Sequence, residues 1–230
     1  MMHYYSEKEI RDIIASVVSQ SVLAAKDAPQ AAAQGAKPCG KSSAPVPVEV
    51  SARHVHLTQE AVEQLFGKGH QLTKKRDLSQ PGEFLAEERV KVVTGKGEFA
   101  NVAVLGPARS AVQVELSMTD SKALGIKAPV NLSGDLSGAG SVVLISQTGM
   151  YKADGSAIIA KAHIHMTPKD AAAFGVRDGQ KVRVHLKSPR PITIDDVLIR
   201  VKDSFNLAMH IDFDEANAAA VSGDVAGYIE

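Results

Sequence analysis

Two kinds of apolar periodicity divide this chain. In YYSEKEIRDIIASVVSQSVLAAK, the residues Ile10, Ile13, Ile14, Val17, Val18 and Val22 recur at helical spacing and form one apolar stripe. Ser6 and Glu9 supply a capping box ahead of it. The pattern predicts an amphipathic helix over residues 1–26. Glu7, Lys8, Glu9, Arg11 and Asp12 break up any secretory hydrophobic region. Periodicity then stops. Residues 27–47, DAPQAAAQGAKPCGKSSAPVP, read as a flexible low-complexity linker. From Val48 the apolar positions alternate in short runs (VKVVTG, ANVAVLG, SVVLIS, QKVRVHL, DDVLIRV) separated by Gly, Pro and Asp, with only brief helical pieces between them. Period two in runs this short predicts small β-barrels or sandwiches.

One local pattern recurs within the β-rich region. ARHVHLT, from Ala52 to Thr58, returns as KAHIHMT from Lys161 to Thr167. On an extended backbone, two histidines one residue apart share a face, and the apolar residue between them points the other way. The threonine that follows is a good helix N-cap, and Pro168 suits a first helical position. Each copy then passes an acidic first turn (Glu60; Asp170) and reaches a glycine (Gly67; Gly175). The unit reads as strand, cap, short helix, turn. Two weaker copies follow the same rhythm. VELSMT aligns Glu115, Ser117 and Thr119 with the first His, second His and Thr, and MHIDFDEA aligns His210, Asp212 and Asp214. Four corners with a metal-ligand residue type at every first position imply a duplicated barrel. Each half, 48–127 and 128–217, would contribute two corners, with exchange of strands between the barrels left open, a site expected where the halves meet and a C-terminal tail over 218–230. The fold class expected is therefore mainly β: two small β-barrels capped by short α-helices and related by internal duplication, plus the N-terminal amphipathic helix.

Composition narrows the function. Basic and acidic residues balance at 26 each, so no electrostatic footprint for nucleic acid or an anionic membrane exists. No apolar run approaches membrane-spanning length. Trp is absent and aromatics make up 4%, which argues against a base-stacking surface. The one cysteine, Cys39, cannot form an internal disulfide, and a reducing cytoplasm is the expected compartment. Lying in a linker, it has no preorganised site in which to act as a nucleophile. No Ser/His/Asp elbow, P-loop or GxGxxG motif occurs.

The histidines carry the chemistry instead. His54, His56, His163, His165 and His210, with Glu115, offer six ligands of the types that bind Zn²⁺ and similar divalent ions. Six is too many for one tetrahedral ion and suits two. Asp212 stands at a second-His position and could equally serve as an orienting partner. Arg109, in GPARSAVQVELS, shares the Glu115 face if the strand is uninterrupted, and its planar guanidinium is a candidate phosphate fork. Arg200 in DDVLIRVKD is a weaker second candidate. His70 and His185 lack the corner context and read as surface residues, and His3 belongs to the terminal helix. HVHLTQEAVEQLFG also fits part of a cupin metal motif. Val48 stands where that motif has a glycine, Glu60 is better explained as first-turn helix charge, and the second His-x-His is left unexplained.

Taken together, VSARHVHLT, LSQPGEFLAEE, LGPARSAVQVELS, VNLSGDL, AKAHIHMTP and LAMHIDFDEANAA make the chain from about Val48 to Asn217 resemble the PduL-type phosphotransacylases, the phosphate propanoyltransferases of bacterial microcompartments. The resemblance implies paired β-barrels with two zinc ions per chain. Glu115, His163 and His165 would hold one ion, His54, His56 and His210 the other, and Arg109 would bind phosphate. It implies reversible exchange of an acyl group, propanoyl or acetyl, between CoA and inorganic phosphate. Gln80, Glu83, Gln113 and Ser133 fall in the matching stretches without an assigned role. The resemblance further implies a cytoplasmic protein packaged in a bacterial microcompartment, with residues 1–26 as the targeting peptide that meets shell or cargo proteins. A homo-oligomer is expected. Two other readings stay open at this point, a zinc-dependent hydrolase and a metal-stabilised scaffold protein.

Overall fold

The computed structural model describes Lys8 and residues 44–230. Apart from Lys8, the expected N-terminal helix and the linker as far as residue 43, with Cys39, lie outside the described residues. The protein is mainly β, with four short helices among the described residues, none long and apolar enough to cross a membrane. It forms two compact units.

The first unit comprises residues 53–78 and 82–159. Its strands are β2 (His54–His56), β3 (Lys74–Asp77), β4 (Phe84–Val93), β5 (Glu98–Gly106), β6 (Gln113–Leu116), β7 (Val130–Asn131), β8 (Gly140–Ile145) and β9 (Met150–Ala160). Six of them close a ring in the order β4-β5-β2-β6-β9-β8, with β8 pairing back onto β4. β3 and β7 are added outside the ring on β4 and β9. The second unit comprises 44–52, 79–81 and 160–230. Its strands β1 (Val46–Ser51), β10 (His163–Met166), β11 (Lys181–Lys187), β12 (Ile192–Val201), β13 (Ala208–Asp212) and β14 (Val225–Ile229) close in the order β1-β13-β10-β12-β11-β14.

The two rings superpose in connectivity. β2, β4, β5, β6, β8 and β9 correspond to β10, β11, β12, β13, β14 and β1, and each parallel or antiparallel pairing is preserved. The duplication is thus permuted, because the sixth strand of the second barrel comes from the start of the chain. The strand preceding each His-x-His corner closes the other unit's barrel. The division therefore falls near residues 52/53 and 159/160, not at 127/128. Residues 218–230 are not a tail, since β14 is a barrel stave. The linker also ends earlier than expected: Val46 begins β1 and is fully buried.

Period two does what the sequence requires. Val55 and Ile164, between the paired histidines, are fully buried in the cores of their respective units, each worth about 1.5–3 kcal/mol relative to exposure. Inside the second barrel, Gly227 admits no side chain, because a Cβ there would lie 2.8 Å from Val184 Cγ1 and 3.4 Å from Val48 Cγ2. Helices follow each ligand strand: α1 (Gln59–Phe66), α2 (Met118–Ala123), α3 (Pro168–Phe174) and α4 (Phe213–Ala218). Thr58 and Thr167 cap α1 and α3 as the pattern predicts. The other two corners are two residues shorter than the alignment assumes. Ser117 and Asp212, not Thr119 and Asp214, accept the capping N–H groups, from Asp120 and Glu215. Only the first position of these corners is therefore left to point at a ligand.

Candidate metal centre

In the first unit, antiparallel pairing of β2 and β6 puts His54 opposite Glu115 and His56 opposite Gln113. All four side chains are buried. His54 Nε2 lies 3.5 Å from Glu115 Oε2, and His56 Nε2 lies 3.7 Å from Glu115 Oε1. Burial by itself raises the Glu115 carboxyl. The His54 and His56 rings and a hydrogen bond from Ser133 outweigh it, so the group sits well below the usual carboxylate range. Burial drives His56 the other way, well below its ordinary value, with His54 and Arg109 adding to the effect. An ionised carboxylate beside a neutral imidazole is the protonation state in which both serve as metal ligands.

The second unit repeats the arrangement. Pairing of β10 and β13 sets His163 opposite His210, and His165 shares the His163 face. The His163 and His210 rings stack at 5.1 Å, and His165 stands at 4.7 and 4.9 Å from them. His163 Nδ1 is 2.8 Å from the Lys161 carbonyl, which can only accept, so that nitrogen carries the proton and Nε2 is left as the lone pair. Both ring nitrogens of His165 are buried with no hydrogen-bond partner among the described residues. Burial first, then His163 and His210, and then Arg200 and Lys202, bring His165 down to about 2. The Phe205 ring covers it at 4.1 Å.

In each unit the three candidate ligand atoms lie within 4.8 Å of one another. Buried imidazole nitrogens without partners are costly, and a cation that accepts their lone pairs removes that cost. Nitrogen-rich three-donor sets of this kind fit a borderline ion such as Zn²⁺ with a coordination position open. The strand registers group the six residues by unit, as His54–His56–Glu115 and His163–His165–His210. The resemblance divides them differently, taking ligands from both halves for each ion.

Arg109 is not on a continuous strand with Glu115. It lies in the connection between β5 and β6, where its main-chain N–H donates to the Leu57 carbonyl at 2.8 Å. It reaches the Glu115 neighbourhood through hydrogen bonds instead. Nη2 donates to Glu83 Oε1 at 2.8 Å and Nη1 to Ser133 Oγ at 3.1 Å. Arg200 is the register partner of His165 on β12, with its guanidinium 5.9 Å from the Phe205 centroid. Asp212 is occupied as a helix cap. Gln80 clamps the backbone of Asn206, donating to its carbonyl and accepting its N–H. His70 and His185 are half-buried rather than simply exposed. His70 sits 2.8 Å from Glu88 Oε1 and His185 3.2 Å from Thr193 Oγ1. Sequence spacing gave no signal for Glu49, whose carboxylate lies 3.8 Å from His210 Nδ1. It faces His210 only because β1 pairs with β13.

A family model described as phosphate propanoyltransferase matches residues 47–222. Similar proteins carry that name. One from Leptotrichia buccalis is 54% identical over 183 residues, covering 80% of this chain and 87% of the relative. One from Clostridioides difficile is 51% identical over 191 residues, covering 83% and 91%. One from Thermotoga maritima is 49% identical over 185 residues, covering 80% and 88%.

Proposed function

The chain belongs to the phosphate propanoyltransferase family, and on that premise we propose that it moves a propanoyl or acetyl group reversibly between CoA and inorganic phosphate at a site holding two zinc ions. The observation that supports the site is the pair of three-donor groups, the first buried and the second partly so, at equivalent register positions of two duplicated barrels. In this reading His54, His56, Glu115, His163, His165 and His210 are the ligands. Zinc held there would polarise a thioester carbonyl as a Lewis acid and stabilise the charge that develops on its oxygen.

Arg109 supplies the fork for phosphate. Its guanidinium is held by two acceptors, Glu83 and Ser133, so it is aimed rather than free to sweep. Holding phosphate beside the thioester turns a bimolecular encounter into an oriented one. A phosphate oxygen forms the new bond to the acyl carbon, the carbon–sulfur bond breaks, and sulfur keeps the electron pair as the CoA thiolate. Phosphate is already a competent nucleophile near neutral pH and the thiolate an adequate leaving group, so no covalent enzyme intermediate is needed. Residues 1–26 are the targeting segment in this proposal, docking on shell or cargo proteins of a microcompartment in the cytoplasm, and the enzyme core is a homo-oligomer.

A phosphate-dependent thioester assay, with metal content measured on the same sample, tests the reading. Acyl phosphate and free CoA should form in equal amounts, with about two zinc ions per chain. Thioester loss without acyl phosphate would make the protein a hydrolase instead.

A further inference from the structure

Gln113 is buried, two residues ahead of Glu115 on the same face of β6. Its side-chain amide is fully engaged. Nε2 donates to Glu115 Oε1 at 2.6 Å and to Ser133 Oγ at 2.9 Å, and Oε1 accepts the main-chain N–H of Gly134 at 2.8 Å. These partners set the orientation of the amide. The Gly134 N–H can only donate, so a flipped amide would oppose donor to donor there. Ser133 Oγ also accepts from Arg109 Nη1 at 3.1 Å. A continuous set of hydrogen bonds therefore joins the guanidinium to the carboxylate.

We propose that Gln113 is a positioning residue for Glu115. It engages Oε1, leaving Oε2, the oxygen nearer His54, as the one presented to a metal ion, and through Ser133 it ties that carboxylate to the aim of Arg109. The physical need is specific. The terminal torsion of a glutamate is broad and roughly two-fold, so packing alone does not select one oxygen. The 2.6 Å hydrogen bond from Gln113 Nε2 to Oε1 does. The inference rests on the reading of Glu115 as a metal ligand.

The test uses the full chain, with the wild type compared against Gln113→Leu, which keeps the volume and removes all three hydrogen bonds. Three quantities are read: zinc affinity by competition with a chromophoric chelator, the melting temperature of the metal-free protein, and the separate KM values for phosphate and acyl-CoA. The expected result is two zinc ions on the wild type, with one of the two affinities falling about 10–100-fold in the variant while the other stays unchanged. Unchanged affinity for both ions, or an equal loss at both, overturns the inference and leaves the metal site standing. A wild type that holds no metal overturns the site reading and the inference with it. If metal-free Gln113→Leu does not fold, Ser133→Ala decides the matter. A rise in phosphate KM of several-fold, with acyl-CoA KM unchanged, supports the relay, and no change in either overturns it.

Discussion

The position of Val46 makes a sharp prediction about where the N-terminal segment can be cut away. A chain starting at Ala44 keeps β1 whole, whereas one starting at Val48 loses Val46 and Pro47. In the structure Val46 is fully buried among the residues of the second barrel core, and it pairs with Gly227 while Pro47 pairs with Ala226. Removing the Val46 side chain forfeits about 1.5–3 kcal/mol of burial, and opening the end of the β1–β14 ladder raises the total to about 2–4 kcal/mol. For a chain of this size 1 kcal/mol shifts the midpoint by about 2–4 °C, so the shorter form should melt roughly 5–15 °C below the longer one. Thermal unfolding followed by circular dichroism on both, stripped of metal and again with zinc restored, measures it. The Ala44 form should retain metal and turnover, since every proposed ligand lies downstream. If the two forms melt within about 2 °C of each other, β1 does not close the barrel as described. If the Ala44 form loses metal and activity, residues 1–43 belong to the catalytic fold and the division of the chain is wrong.

Other expectations follow from the same geometry. His165→Ala should release about one metal ion per chain and abolish phosphate-dependent acyl transfer, because a three-donor set has no spare ligand; full activity in a chelated, metal-free sample would refute the metal reading. Arg109→Lys keeps the charge without the fork, so the phosphate KM should rise at least about tenfold while the acyl-CoA KM changes little. Equal effects on both would make Arg109 a structural residue. Glu215 is raised to about 7, mainly by burial, with Asp212 and Asp214 adding to the shift against an opposing backbone hydrogen bond from Asp212. With its folded value above the unfolded one, the native state binds the extra proton; the stability this contributes is present below about 4.5 and is lost as pH rises through about 7. Glu215→Gln, which keeps the capping-box geometry, should therefore stabilise the protein relative to wild type more at pH 8 than at pH 5, and an equal melting-temperature difference at both would contradict this.

Much of the local chemistry was decided along the chain. Alternation in HVH and HIH is enough to send Val55 and Ile164 into the cores and the histidines to the opposite face, because a strand has no other periodicity. Thr58 and Thr167 announce their helices because a side-chain oxygen at that point satisfies N–H groups a helix leaves unpaired. Duplication was legible for the same reason, since each corner is a short, self-contained unit. What required tertiary structure was everything that depends on which strands meet. Ser117 and Asp212 align with the second histidine of the other corners, yet they cap helices, because the shorter corners turn two residues sooner. β1 and β9 each close the barrel of the unit that does not contain the corner following them, which no linear spacing encodes. Glu49 faces His210 only through the β1–β13 pairing, and Arg109, off the strand assigned to it, is joined to Glu115 by Ser133 and Gln113. Periodicity is a property of neighbours in sequence. Strand pairing and hydrogen-bond closure are properties of residues tens of positions apart, and those contacts turned a list of six candidate ligands into two triads, one in each unit.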